Sequence, residues 1–208
     1  MDDDLHKNLI NEILTPDDIA YLESLGVVVD GELLDPKIDL VFKAMLTTDS
    51  EASRTALKDI LSCALLRRIS MVRVANNELA STGLMQKQAN FDLHAVFDDD
   101  DEAEIEMQMR LRDNVVNRSE FNTSKLYSSQ EIKGKLFDDL KKVYMIMILN
   151  STLFHDRKEF IDYYTFRNAE GRVLSGNMNI IFIELSKLGE VEKKPVSEMS
   201  GIERWALF

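Results

Sequence analysis

Apolar residues recur at helical spacing in the first third of the chain and at strand spacing through most of the rest. The stretch "TPDDIAYLESLG" carries helix signals from end to end: Thr15 can cap, Pro16 suits the first turn, Asp17 and Asp18 favour the positive helix end, and Gly26 can stop it. In "DPKIDLVFKAML" the residues Ile38, Val41, Phe42 and Met45 fall on one stripe, which predicts a second helix capped by Asp35, with Asp39 and Lys43 off the stripe one turn apart. A third helix is expected over residues 51–66, with Leu57, Ile60, Leu61, Ala64 and Leu65 inward. Then the period changes. "SMVRVAN" reads as a strand, "NELASTGLMQKQ" as a long loop, and residues 91–97 and 103–110 as two strands around an acidic turn. "NRSEFNTSKLYSSQEI" returns to helical spacing up to Gly134. "KKVYMIMIL" is apolar almost throughout, as a buried strand should be, and "KEFIDYYTFRN" and "NMNIIFIEL" are two more strands joined by the turn "AEGR". Helices, three strands, a helix and further strands make a mixed α/β chain without the regular alternation of a doubly wound sheet.

The hairpin "FDLHAVFDDDDEAEIEMQMR" sorts its residues by parity. If the two strands pair around Asp100, Asp92 faces Gln108, His94 faces Glu106 and Val96 faces Glu104, all on one side. The other side holds Phe91, Leu93, Ala95, Phe97, Ile105, Met107 and Met109. Asp92 and Glu106 are then diagonal neighbours with Cβ atoms roughly 7 Å apart, close enough for two carboxylates to reach one cation. Mg²⁺ and Mn²⁺ prefer oxygen ligands, and an ion there could activate water against a phosphodiester. On the pattern alone a solvated hairpin face is the more economical account. The run Asp98 to Glu102 reads as a wet turn, and His94 as a surface histidine.

Charge and composition narrow the classes. The chain has 208 residues and a net charge of -12, which argues against a protein that simply coats DNA, though not against an enzyme with a local basic surface. Its single cysteine, Cys63, sits in an apolar run, can form no intramolecular disulfide and suits a reducing cytoplasm. The acidic N-terminus is no signal peptide, and "MIMIL" is too short to cross a bilayer, so no membrane role is expected. "VSEMSGIERWALF" begins an amphipathic helix that stops at Phe208 without a cap or polar tail. It is read as the start of a C-terminal helical region (191–208) of a longer protein. An N-terminal helical extension (1–34) precedes the main domain (35–190).

Taken in order, "DLVFKAML", "NNEL", Lys87, "FDLHAVF", "IEMQ" and "RSEFNTSKLYSSQEIKGKLFDDLKKVYMIMIL" resemble the PD-(D/E)XK nuclease family transposases over roughly residues 35–188. The resemblance implies a restriction-endonuclease-like core, a mixed sheet flanked by helices, and Mg²⁺- or Mn²⁺-dependent DNA cleavage. It places the family's two acids on Asp92 and Glu106, the position usually held by lysine on Gln108, and a helix acid on Asp39, which makes Asp92, Glu106 and Asp39 the expected metal ligands. Arg118, Tyr127 and Gln130 match positions typical of the family, and Phe91 stands where a proline is usual. A neutral amide at 108 brings no charge to the transition state, so Lys87 or Arg118 is the candidate replacement cation. Lys87, Arg118 and Lys125 are the candidate DNA contacts. The expected function is a metal-dependent endonuclease of mobile-element or recombination type. The competing one is a catalytically degenerate nuclease-fold protein that binds DNA or protein. DNA is the expected partner, and a homo-oligomer is compatible with the sequence without being required by it.

Overall fold

A computed structural model describes residues 16, 36, 38–75, 93–130 and 137–208. The expected helix over residues 16–26 and the loop 77–88 lie outside them, Pro16 apart. The helices α1 (Asp39–Thr47) and α2 (Glu51–Ala64) lead into β1 (Val72–Val74), β2 (Leu93–Phe97) and β3 (Asp101–Gln108). Helix α3 (Val115–Ser128) follows, then β4 (Val143–Leu149), β5 (Ile161–Thr165), β6 (Met178–Glu184) and α4 (Gly201–Leu207). The strands form one six-stranded sheet in the order β1-β2-β3-β4-β6-β5. β3, β4 and β6 run parallel, so their carboxyl ends lie together, while the pairings β1 to β2, β2 to β3 and β5 to β6 are antiparallel. The expected mixed sheet flanked by helices is what forms.

Parity along the strands decides what each face touches. The odd-numbered residues of β3 (Ala103, Ile105, Met107) pack with Ile146, Ile148, Ile181 and Ile183 against Phe42 and Leu46 of α1 and Leu57, Ile60, Leu61 and Ala64 of α2. On the opposite face, Met145, Met147, Leu149 and Phe182 pack against Val115 of α3. The continuous apolar run of β4 is explained by this: it is covered on both sides. Burying each of the Val, Leu, Ile, Phe and Met side chains contributes about 1.5–3 kcal/mol.

The structure departs from the expected elements in three places. Helix α1 starts at Asp39 with Ile38 at its N-cap, extended and without a side-chain cap. Lys43, expected on the wet side of α1, is buried with 3% of its surface exposed. The hairpin ladder pairs Leu93 with Ile105, His94 with Glu104 and Phe97 with Asp101, two positions from the expected register. A shift of two preserves the faces and changes only the partners. It arises because the acidic run is not all turn. Only Asp98–Asp100 turn, with Asp98 and Asp100 at φ 47° and 68°, and the Asp98 carboxylate accepts from Ser70 N and Met71 N at 2.8 and 3.2 Å. Asp101 is buried, bonded to Arg67 at 2.6 Å and accepting from Lys142 N at 3.0 Å, so it belongs to the strand.

The C-terminal helix has a partner. Ile202 and Ala206 are buried, Trp205 Nε1 donates to Asp59 of α2 at 2.7 Å, and a Cβ on Gly201 would stand 2.4 Å from Cys63 Sγ. Ser200 and Glu203 form a capping box at its start. Lys194, 2.5 Å away, and the Ser200 N–H hold the Glu203 carboxyl at about 2, against an ordinary 4.5. A folded pKa below the unfolded one gives stabilisation that is complete above pH 4.5 and is lost as pH falls toward 2. Trp205 is the only tryptophan and reports on this helix. Its emission is expected to shift red across that window, and Glu203→Gln to shrink the step; an undiminished step in the variant would place the acid response elsewhere.

Candidate active site

β3 carries Glu106 and Gln108 on the face away from α1, at the carboxyl ends of the parallel strands. Alternation puts both on one side, and both are buried there: Glu106 is 4% exposed and Gln108 7%, with Arg118 of α3 reaching Glu106. The solvated hairpin face expected from the pattern therefore ends before this point. His94, Glu102 and Glu104 nearer the turn are half-buried, and His94 Nε2 lies 2.8 Å from Glu102 Oε2.

A carboxylate this deep needs compensation. Arg118, in the first turns of α3, donates Nη2 to Glu106 Oε1, and Gln108 Nε2 donates to the same oxygen at 2.5 Å. That fixes the Gln108 amide, because the reverse orientation would set its oxygen against a carboxylate. Gln108 Oε1 is left buried with no hydrogen-bond partner. A buried amide oxygen beside a carboxylate fits an oxygen-preferring divalent cation, or a water that donates one hydrogen and keeps its lone pairs for another atom. Among the described residues no group of three or more His, Cys, Asp or Glu side chains stands ready-made around an ion.

The chain belongs to the PD-(D/E)XK nuclease family transposases. The family model matches residues 36–208. No curated protein and no solved structure matches the chain. Of the residues the family resemblance singles out, the structure unites Glu106, Gln108 and Arg118. Asp92, one residue before β2, and Lys87 lie outside the described residues. Asp39 opens α1, across the sheet from Glu106; yet Pro36 lines a cavity with Met107, Ile148 and Ile183, so the approach to α1 lies near the carboxyl ends of the strands. Lys125 is exposed. Tyr127 accepts from Asn177 Nδ2 at 3.2 Å, and Gln130 clasps the backbone N–H and C=O of Lys141 at 2.8 and 3.1 Å, which ties α3 to the approach to β4.

Sequence reasoning missed Glu184, the last residue of β6, at the same strand ends and 1% exposed. One of its oxygens accepts from Leu153 N and Phe154 N, the latter at 3.1 Å, and the other meets Lys187 Nζ at 2.5 Å. The available signal was a carboxylate closing the apolar run "IIFIE". Its bonds hold the turn after β4 and leave it no evident role in chemistry.

Proposed function

We propose that this chain hydrolyses phosphodiester bonds of DNA as a divalent-metal-dependent endonuclease of mobile-element or recombination type. The observation that carries the reading is the buried cluster of Glu106, Gln108 and Arg118 at the ends of the parallel strands. Asp92 and Glu106 are each one residue beyond the last described pair of the ladder, Leu93 with Ile105, and we assign them together as ligands of Mg²⁺ or Mn²⁺, with Asp39 acting from α1 through water. Such an ion, when bound, supplies a more acidic water and stabilises the departing oxygen. Gln108 Oε1 accepts a hydrogen from the attacking water and orients it. The Arg118 guanidinium, beside the amide that replaces the usual lysine, faces the negative charge that develops on the phosphoryl oxygens. Binding to DNA rests on a local basic surface of Lys87, Arg118 and Lys125, since the whole chain carries -12.

A second reading has one observation behind it: Arg118 already neutralises Glu106, as it would in a retired site that only binds DNA or protein. Incubation with supercoiled plasmid and Mg²⁺ or Mn²⁺ separates the two. Nicking is expected, with Arg118→Ala slowing it about 100-fold, the usual effect of removing one charge-stabilising donor, and Gln108→Lys retaining it. Replacing Arg118 and Lys125 together by Ala is expected to lower the slope of log affinity against log salt by about 2 in magnitude. An inert wild type that still binds DNA would favour the retired site.

A further inference from the structure

Helix α3 presents an ordered stripe to solvent. Asn114 at its N-cap, then Arg118, Phe121, Lys125 and Ser128, follow one another at steps of four and three, which keeps them on one flank. Buried Val115, Ser119 and Thr123 face the sheet. Phe121 is 69% exposed, and Lys125 beside it is exposed as well. The helix has two basic residues, and both lie on this flank; its one acid, Glu120, stands roughly 160° around from Arg118. The stripe begins at the candidate site, because Arg118 reaches Glu106. The chain leaving Gln108 adds exposed Arg110 and Arg112 before the helix starts. Phosphate-pairing charge is thus arranged around a large flat ring, one helical turn beyond the residue that touches the candidate catalytic carboxylate.

We infer that this flank of α3 binds unpaired DNA beside the cleavage site, with Arg118, Lys125 and the Arg110–Arg112 segment on the phosphates and Phe121 stacked on an exposed base. The inference rests on the nuclease reading above and names the form of DNA it takes. In a duplex the base faces are covered by their neighbours, and an aromatic ring on a convex helix has nothing to stack on. In a single strand, a fork or a frayed end the base face is free, and stacking is indifferent to sequence. Charge complementarity selects a polyanion over an apolar protein surface, since the ring is flanked by arginine and lysine rather than by further apolar side chains.

The test uses the full chain in EDTA, so that no cleavage occurs. An end-labelled oligonucleotide carrying 2-aminopurine is offered as a single strand and as a blunt duplex of the same sequence. Phe121→Ala is expected to raise Kd for the single strand roughly 10-fold, the loss of one stacked base, and to leave the duplex within about 2-fold. The wild type and Phe121→Trp should quench 2-aminopurine, and Phe121→Ala should not. Matching thermal melts of the three proteins exclude a folding effect, which the exposure of Phe121 makes a small risk. Equal losses on both DNAs, no loss on either, or a change in the sedimentation of the chain with DNA binding intact would overturn the inference; the last result would make Phe121 a contact between copies. If duplex binding and its dependence on Arg118 and Lys125 survive while Phe121→Ala is inert, only this inference falls. If the wild type binds neither DNA, the nuclease reading falls with it.

Discussion

Glu106→Gln is expected to reduce metal-dependent nicking by roughly 1,000-fold or more while leaving the fold standing. The side chain keeps its size and an oxygen that can still accept from Arg118 and from Gln108, so the hydrogen bonds that hold it survive. What it loses is the charge that binds a divalent cation, and with it several kcal/mol of transition-state stabilisation. The cost to stability is expected to be at most about 1 kcal/mol, because Arg118 keeps 28% of its side chain in water and is screened there. Plasmid nicking and urea unfolding of the same preparation measure both quantities. Activity within a few fold of wild type would remove Glu106 from the chemistry.

Glu184→Ala is expected to do the reverse, costing about 3–5 kcal/mol of stability. Its removal leaves Lys187, whose side chain is 8% exposed, without its carboxylate, and takes the acceptor from Leu153 N and Phe154 N. Adding Lys187→Met should recover a good part of the loss, since the uncompensated charge goes with it. A loss under about 1 kcal/mol in the single variant would show that water reaches the site and that the ion pair holds little.

The architecture was legible wherever one period dominated a segment. Leu57, Ile60, Leu61 and Ala64 of α2 turned inward as their spacing requires, and the unbroken run of β4 is buried on both faces. The faces of the hairpin were legible too, because parity survives a shift of two. Its register was not. That depended on Asp101 leaving the acidic turn for Arg67 and for the backbone of Lys142, contacts 34 and 41 residues apart in sequence. The burial of Glu106 and Gln108 was equally hidden. Alternating polar residues look the same under a packed layer as under water, and only the tertiary contacts, Arg118 to Glu106 among them, distinguish the two. Arg118 shows the difference most plainly. From the sequence it could be a DNA contact or the missing cation, and the structure bonds it to Glu106.

The central claim is that Asp92 and Glu106 share a divalent ion at the ends of the parallel strands. Calorimetric titration of Mn²⁺ into the full chain, wild type against Asp92→Asn, tests it most directly, because it reads the ion and not its consequences. The wild type is expected to bind one ion with measurable heat, and Asp92→Asn to lose at least about 10-fold in affinity, the loss of about 1.4 kcal/mol or more from one charged ligand. Equal binding by the two proteins would contradict the claim and leave the acids of the hairpin with a structural role alone.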